Sequence, residues 1–228
     1  MSGLRLRRMR RSVGSAALGL TAGVLFFAFP TGSPAPAAEG GAGPFAEPVI
    51  RVEEDWKLVL NEPDGNVDSP QFHTIMSPYA DVDSFYAQVL WNYRETPDFA
   101  AGGVQLQSYE GDFLIRRRSM EYGQLSTTAE IITWTQSLET DGVALSFEVT
   151  NGQSTTWGTF GKDMRISSDA NLPDLSGYSP DSSAHESCVT YGGNRVDLLV
   201  ITEVRYYGAS GLLGVDNTPR VVFQLDQE

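Results

Sequence analysis

The sequence predicts an all-β fold, a two-sheet antiparallel β-sandwich that follows a secretory signal peptide. Three observations carry this. From Glu53 to Leu225 apolar and polar residues alternate with a period of two, and no run holds a helical period. β-Branched and aromatic residues fill the alternating runs, as a pleated, half-buried surface prefers. Turn residues separate the runs at short intervals, and no segment suits a crossover helix, which argues against a parallel α/β sheet.

Strands are predicted near 54–60, 71–76, 84–94, 103–109, 112–118, 129–138, 143–150, 153–160, 163–167, 187–191, 196–207 and 219–225. Val143, Leu145, Phe147 and Val149 alternate with Ser146, Glu148 and Thr150, so the first set is expected to face the core. In the longest run Leu198, Leu199, Val200 and Ile201 are consecutive. That pattern predicts a central strand covered on both sides, with Leu198, Val200 and Phe147 in the core. Gly208-Ala-Ser-Gly211 reads as the hairpin that ends it. Residues 53–228 are expected to be almost free of helix.

Residues 1–37 read as the signal peptide. Five arginines lie within the first 11 residues, an apolar run spans Val13 to Phe29, and Ala35-Pro36-Ala37 supplies a cleavage site. This predicts an exported protein with no membrane span in the mature chain. Residues 38–52, continuing a stretch rich in Pro, Gly and Ala, read as a flexible linker before a domain at 53–228. All 29 acidic residues and only eleven of the 16 basic ones follow Ala37, which leaves a net charge of −18. Such a surface repels nucleic acid and anionic lipid. Cys188 is the single cysteine, so no intrachain disulfide forms, and its apolar neighbour Val189 suggests a small buried hydrophobe.

The chemistry is sparse. The two histidines, His73 and His185, share no zinc-type spacing, and no Gly-x-Ser-x-Gly string occurs. Asp64, Asn66 and Asp68 place oxygen ligands at alternate positions, as in the first half of a calcium loop. The glycine and the twelfth-position acid of an EF-hand are missing, so calcium binding competes with an ordinary Asx-rich turn. Arg116-Arg117-Arg118 is the only basic cluster of the domain, and its expected partners are local acids such as Glu110, Asp112 and Glu121. Glu53/Asp55 and Asp81/Asp83 have strand spacing that puts two carboxylates on one face, which glycoside hydrolysis needs. The irregular interval Ser167–Glu186 is long enough to be functional.

Three segments, Asp55-Trp-Lys-Leu-Val-Leu-Asn-Glu-Pro-Asp64, Gln71-Phe-His-Thr-Ile-Met-Ser-Pro78 and Ile201-Thr-Glu-Val-Arg-Tyr-Tyr207, resemble an uncharacterised group of exported proteins from planctomycete-type bacteria. That resemblance brings no activity with it. The strand count and the tail Asn194-Arg195 to Val204-Arg205-Tyr206-Tyr207 resemble concanavalin-type jelly-roll domains. This implies a two-sheet sandwich and, in some members, sugar recognition. The Glu-x-Asp-x-x-Glu strand of that group's glycosidases does not occur here.

Asn151-Gly152 is read as a two-residue hairpin turn. That register sets Thr150 opposite Gln153, Glu148 opposite Thr155 and Ser146 opposite Trp157. Trp157 then lies on a polar outer face among Glu148, Ser146 and Thr155, where an indole could stack on a neutral sugar. The functional expectation is an exported binding module of the cell envelope, with a glycan or envelope polymer as partner. The alternatives are a glycan-processing enzyme with cleft carboxylates and a secreted protein-binding factor.

Overall fold

The computed structural model describes residues 45–62, 70–92, 103–125 and 127–225. The strands are β1 (Arg51–Leu60), β2 (Gln71–Met76), β3 (Phe85–Trp91), β4 (Gly103–Glu110), β5 (Phe113–Glu121), β6 (Ile131–Thr140), β7 (Ala144–Ser154), β8 (Gly158–Phe160), β9 (Arg165–Asp169), β10 (Cys188–Tyr191), β11 (Val196–Gly208), β12 (Gly211–Asp216) and β13 (Arg220–Gln224). One α-helix, α1 (Pro180–Glu186), precedes β10.

Two antiparallel sheets form the predicted sandwich. One runs β12-β11-β1-β6-β7-β8, with β13 also pairing β11 and β9 also pairing β7. The other runs β10-β2-β3-β4-β5. Period-two alternation decides which side chains meet between them. In β1, Val52, Glu54, Trp56, Leu58 and Leu60 point inward and are all buried. β6 answers with Ile132, Trp134, Gln136 and Leu138. Across the gap Trp91 of β3 meets Trp134 at 4.5 Å between ring centroids, and Trp134 stacks on Trp56 at 5.9 Å. Aromatic pairs at such distances add to plain area burial.

Several expectations need correction. Residues 45–52 are not a linker. Val49 is buried, Phe45 packs on Tyr206, and Ile50 donates its N–H to the carbonyl of Tyr207. β1 therefore begins at Arg51, because its backbone has partners in both β11 and β6. Helix is present where an irregular loop was expected. Ser179 caps α1 by accepting from the N–H of Ser182, and Pro180 opens its first turn. A strand was missed at β12, which pairs with β11 through the Gly208–Gly211 hairpin.

The fourth correction concerns Asn151-Gly152. β7 runs straight through it, and the chain turns only at 155–157. Thr135 pairs with Thr150 and Thr133 with Gln153, so Asn151 and Gly152 together oppose Trp134. This is a β-bulge, with Asn151 at φ 55°. Asn tolerates the left-handed region that a hairpin turn and this bulge both need. Gly152 is required for a second reason: a Cβ there would fall 2.3 Å from the ring of Phe160.

Phe147 and Val200 are buried as expected, whereas Leu198 is only half-buried. Leu199, fully buried, carries the core contact instead. Leu199→Ala should cost about 2–5 kcal/mol. Leu198→Ala should cost about half that or less, since little area leaves water. Urea midpoints of the two variants check this ordering.

Candidate functional site

Within the core lies a carboxylate. Glu54 of β1 is fully buried. Its Oε1 accepts from the Tyr178 hydroxyl at 2.5 Å, and its Oε2 accepts from Trp56 Nε1 at 2.9 Å and from Gln136 Nε2 at 3.2 Å. Gln136 Oε1 accepts in turn from the Thr74 hydroxyl at 2.7 Å and from Trp134 Nε1, and the Thr74 oxygen accepts from Trp91 Nε1 at 2.8 Å. The network ties both sheets and the segment before α1 together. Burial pushes the Glu54 carboxyl above its ordinary value, against hydrogen bonds from Tyr178, Trp56 and Gln136 that lower it. Enclosed on every side, Glu54 is structural.

The outer face of the eight-stranded sheet is different. Asp55 of β1 lies between Arg205 of β11 and Thr135 of β6. Arg205 contacts Asp55 at 2.5 and 2.9 Å, Glu53 at 2.9 Å, and also Glu203. Partial burial alone would raise the Asp55 pKa. Hydrogen bonds from Arg205 and Thr135, with the Arg205 charge, outweigh it and hold the carboxyl below the usual range. The Glu53/Asp55 pair expected from spacing thus shares a face, but the same guanidinium grips both acids. Asp81, of the other pair, accepts from the Asp83 backbone N–H in an Asx-type turn.

Next to Asp55 the sheet surface dips. Trp56 and Trp134 pair across β1 and β6 with both indoles turned inward. Bare backbone is left between the row Asp55–Thr135 and the row Lys57–Thr133. A bulge rises on each side. On β11, Glu203 pairs with Asp55 and Ile201 with Trp56, so Thr202 is the extra residue. Its hydroxyl bonds the Asp55 carbonyl at 3.0 Å. On β7 the bulge is Asn151-Gly152, and Asn151 Nδ2 reaches the Thr135 hydroxyl at 3.3 Å. The result is a groove of about 480 Å³ lined by Asp55, Lys57, Thr133, Thr135, Asn151, Thr202 and Arg205 over that backbone floor. Bulges commonly re-aim side chains beside functional sites. The bulges could be found in sequence only as an Asn-Gly pair and an over-long strand, and the groove as neither.

The residues singled out from sequence are placed elsewhere. Ser146 and Glu148 do lie on this outer face, but beside β9. Ser146 Oγ pairs with Ser167 Oγ at 2.8 Å and accepts from Arg165 at 2.9 Å, while Glu148 lies 3.7 Å from Arg165. Thr155 and Trp157 belong to the turn after β7. The register that gathered the four is corrected by the bulge. Trp157 donates its indole N–H to the Gly123 carbonyl at 2.6 Å and packs on Tyr122, Phe160 and Trp91. Glu130, buried, fixes this turn through Ser154 and Thr156. Asp64, Asn66 and Asp68 lie outside the described residues. Among the described residues no three His, Cys, Asp or Glu side chains converge as metal ligands.

The outer face of the five-stranded sheet is polar but internally bonded. Gln88 donates to Gln107 at 2.7 Å, Gln107 to Gln105, and Gln105 to Ser119 at 2.8 Å, while Tyr86 and Tyr109 stack on each other at 4.9 Å. Arg116, Arg117 and Arg118 line β5, an edge strand, where charge discourages strand addition. At the opposite edge Cys188 is exposed rather than buried, because it points outward from β10 directly opposite His73. Its sulfur lies 3.0 Å from His73 Nε2. Burial pushes the thiol up and the imidazole down, which favours a neutral pair over a reactive thiolate.

No helix among the described residues is long and apolar enough to cross a membrane. No family model, curated protein or solved structure matches the chain.

Two outcomes follow. Glu54 holds its proton more tightly folded than unfolded. Its contribution to stability is full below the unfolded carboxylate value and is lost as pH rises through the raised folded value. Urea midpoints measured from pH 4 to 8 should therefore move in favour of Glu54→Gln as pH increases; a constant difference would contradict the assignment. Trp157→Phe removes the bond to Gly123 and should cost about 0.5–1.5 kcal/mol. Trp157 emission should not change on exposure to a glycan panel.

Proposed function

We propose that the protein is an exported, carbohydrate-binding β-sandwich, and that a polyhydroxylated ligand lies in the groove between the two bulges. The single observation that carries this is the groove's lining. Three threonine hydroxyls, one carboxamide, one ammonium and a carboxylate–guanidinium pair surround a strip of bare backbone on the sheet. Hydroxyls and amides both donate and accept, which matches a sugar hydroxyl that does the same. Thr133 is exposed, and none of the hydrogen bonds among the described residues uses its hydroxyl. The volume falls within the range of about 300–1,000 Å³ common for ligand sites. Export rests on the arginine-rich start, the apolar run and Ala35-Pro36-Ala37.

A binding role suits these acids better than a hydrolytic one. Hydrolysis of a glycoside asks for two carboxyl groups with separated pKa values, one held protonated. Here Asp55 is held ionised by Arg205, which also grips Glu53 and Glu203. The acid with a raised value, Glu54, is sealed in the core.

The test is a glycan array on residues 38–228 followed by calorimetry on the best oligosaccharide. Thr133→Val removes one hydroxyl at nearly constant shape. Asn151→Gly deletes the amide while keeping the left-handed backbone accessible. Each should weaken binding about 5–10-fold, the equivalent of one net hydrogen bond of about 1 kcal/mol. Trp157→Phe should leave affinity unchanged. Binding that ignores both groove substitutions would sink the proposal.

A further inference from the structure

The groove holds a cation that the protein leaves unanswered. Arg205 is surrounded by Asp55, Glu53 and Glu203. Arg51 pairs with Glu53, Arg165 with Glu139 and Glu148, and Arg220 with Asp181 and Asp216. Lys57 enters none of the ion pairs or hydrogen bonds among the described residues. It is partly buried on the groove-lining row, flanked by Val200 on β11 and by Thr133 on β6, neither of which carries charge. The nearest acid on its own strand face is Asp55, two residues away, and that carboxylate is already held by Arg205 and Thr135.

Resting on the carbohydrate reading above, the geometry points to a carboxylated sugar as the ligand class: a uronic acid residue whose carboxylate pairs with Lys57 while its hydroxyls meet Thr133, Thr202 and Asn151. An ammonium at a groove wall has three donors and loses part of its hydration there. A ligand carboxylate restores that interaction as a charge-assisted hydrogen bond, roughly twice as strong as a neutral one. A neutral sugar hydroxyl restores less. The carboxylate on the opposite row works in the same sense. Asp55, which shares the single Arg205 charge with Glu53 and Glu203, repels a second ligand charge and still accepts from a hydroxyl.

The experiment compares two probes that differ only in charge. One is an aldouronic acid with a single glucuronate on xylobiose, and the other is its methyl ester. Calorimetry is run on residues 38–228 at low and high salt. The acid should bind about tenfold more tightly than the ester at low salt, with the gap narrowing as salt rises. Lys57→Met should abolish the gap between acid and ester. Lys57→Arg should retain most of the gap. Equal binding of acid and ester, or a gap that survives Lys57→Met, overturns the assignment of Lys57 while leaving the groove as a glycan site. Failure of both probes to bind overturns it alone, the glycan array still deciding the reading on which it rests; binding that ignores both Thr133→Val and Asn151→Gly overturns the two together. Circular dichroism and urea midpoints confirm that each variant folds, and Lys57, half-exposed at the surface, can be replaced without opening the core.

Discussion

The bond between Glu54 and Gln136 is the constraint around which the rest of the sandwich is arranged. A carboxyl group shut away from solvent must find its hydrogen-bond partners within the protein, because a buried polar group left unanswered costs several kcal/mol. The chain supplies them from three directions. Trp56 donates from the same strand, Gln136 from the neighbouring strand, and Tyr178 from the segment between β9 and α1. Gln136 then hands its own oxygen to Thr74 and Trp134, and Thr74 hands its oxygen to Trp91. Every link fixes a register. A slip of one residue in β1 would carry Glu54 to the surface and Asp55 into the core. Apolar packing permits many sheet-on-sheet alignments, whereas this network is satisfied by one.

The same constraint shapes the outer surface. Because Trp56 and Trp134 must point inward beside the network, the outer face at that level has no side chains of its own. Regular strands on either side would also point inward at that level and leave only backbone there. Both neighbours instead carry an extra residue there, Thr202 on β11 and Asn151-Gly152 on β7. The bulges spend ladder hydrogen bonds to lift polar groups to the rim. Gly152 also makes room for Phe160, so one dipeptide serves the core on one side and the groove on the other. The groove is therefore built on paired central strands rather than on loops.

Much of this was legible in the residues. β2 falls within its predicted limits, and most other strands lie within a few residues of theirs, because half-buried strands write their alternation directly into sequence. The buried acid was missed, although the sequence holds a signal for it. Val52, Glu54, Trp56, Leu58 and Leu60 occupy alternate positions, and a lone acid in that series marks a core carboxylate. Gln136 stands in the same way among Ile132, Trp134 and Leu138. Other features were not legible. Asn-Gly satisfies the backbone of a hairpin turn and of this bulge equally well, and only the pairing partner separates them. Trp157 was placed by that misread register and proves to be part of an aromatic cluster. Cys188 has an apolar neighbour, yet lies on an edge strand whose outward face is bare. The packing of residues 45–50 depends on β6 and β11, which lie about 90 and 160 residues further along the chain, at distances no local pattern reports.

Charge joins the global and local readings. After Ala37 the chain carries a net −18, and a field of that sign opposes the approach of any polyanion. A groove with Lys57 at its wall is attractive only at short range, within about 8–10 Å in physiological salt. Under the proposed reading the two effects act at different distances and would select together. A densely charged polymer meets the repulsive field of the whole domain before any one of its carboxylates reaches Lys57. A mostly neutral chain with an isolated acidic residue meets little of that field and gains the contact. Arg205 contributes to the selection by being unavailable: saturated by three acids, it orders the groove without adding a second free cation that would favour denser charge. An acidic protein can in this way recognise an acidic group, provided that the group is alone.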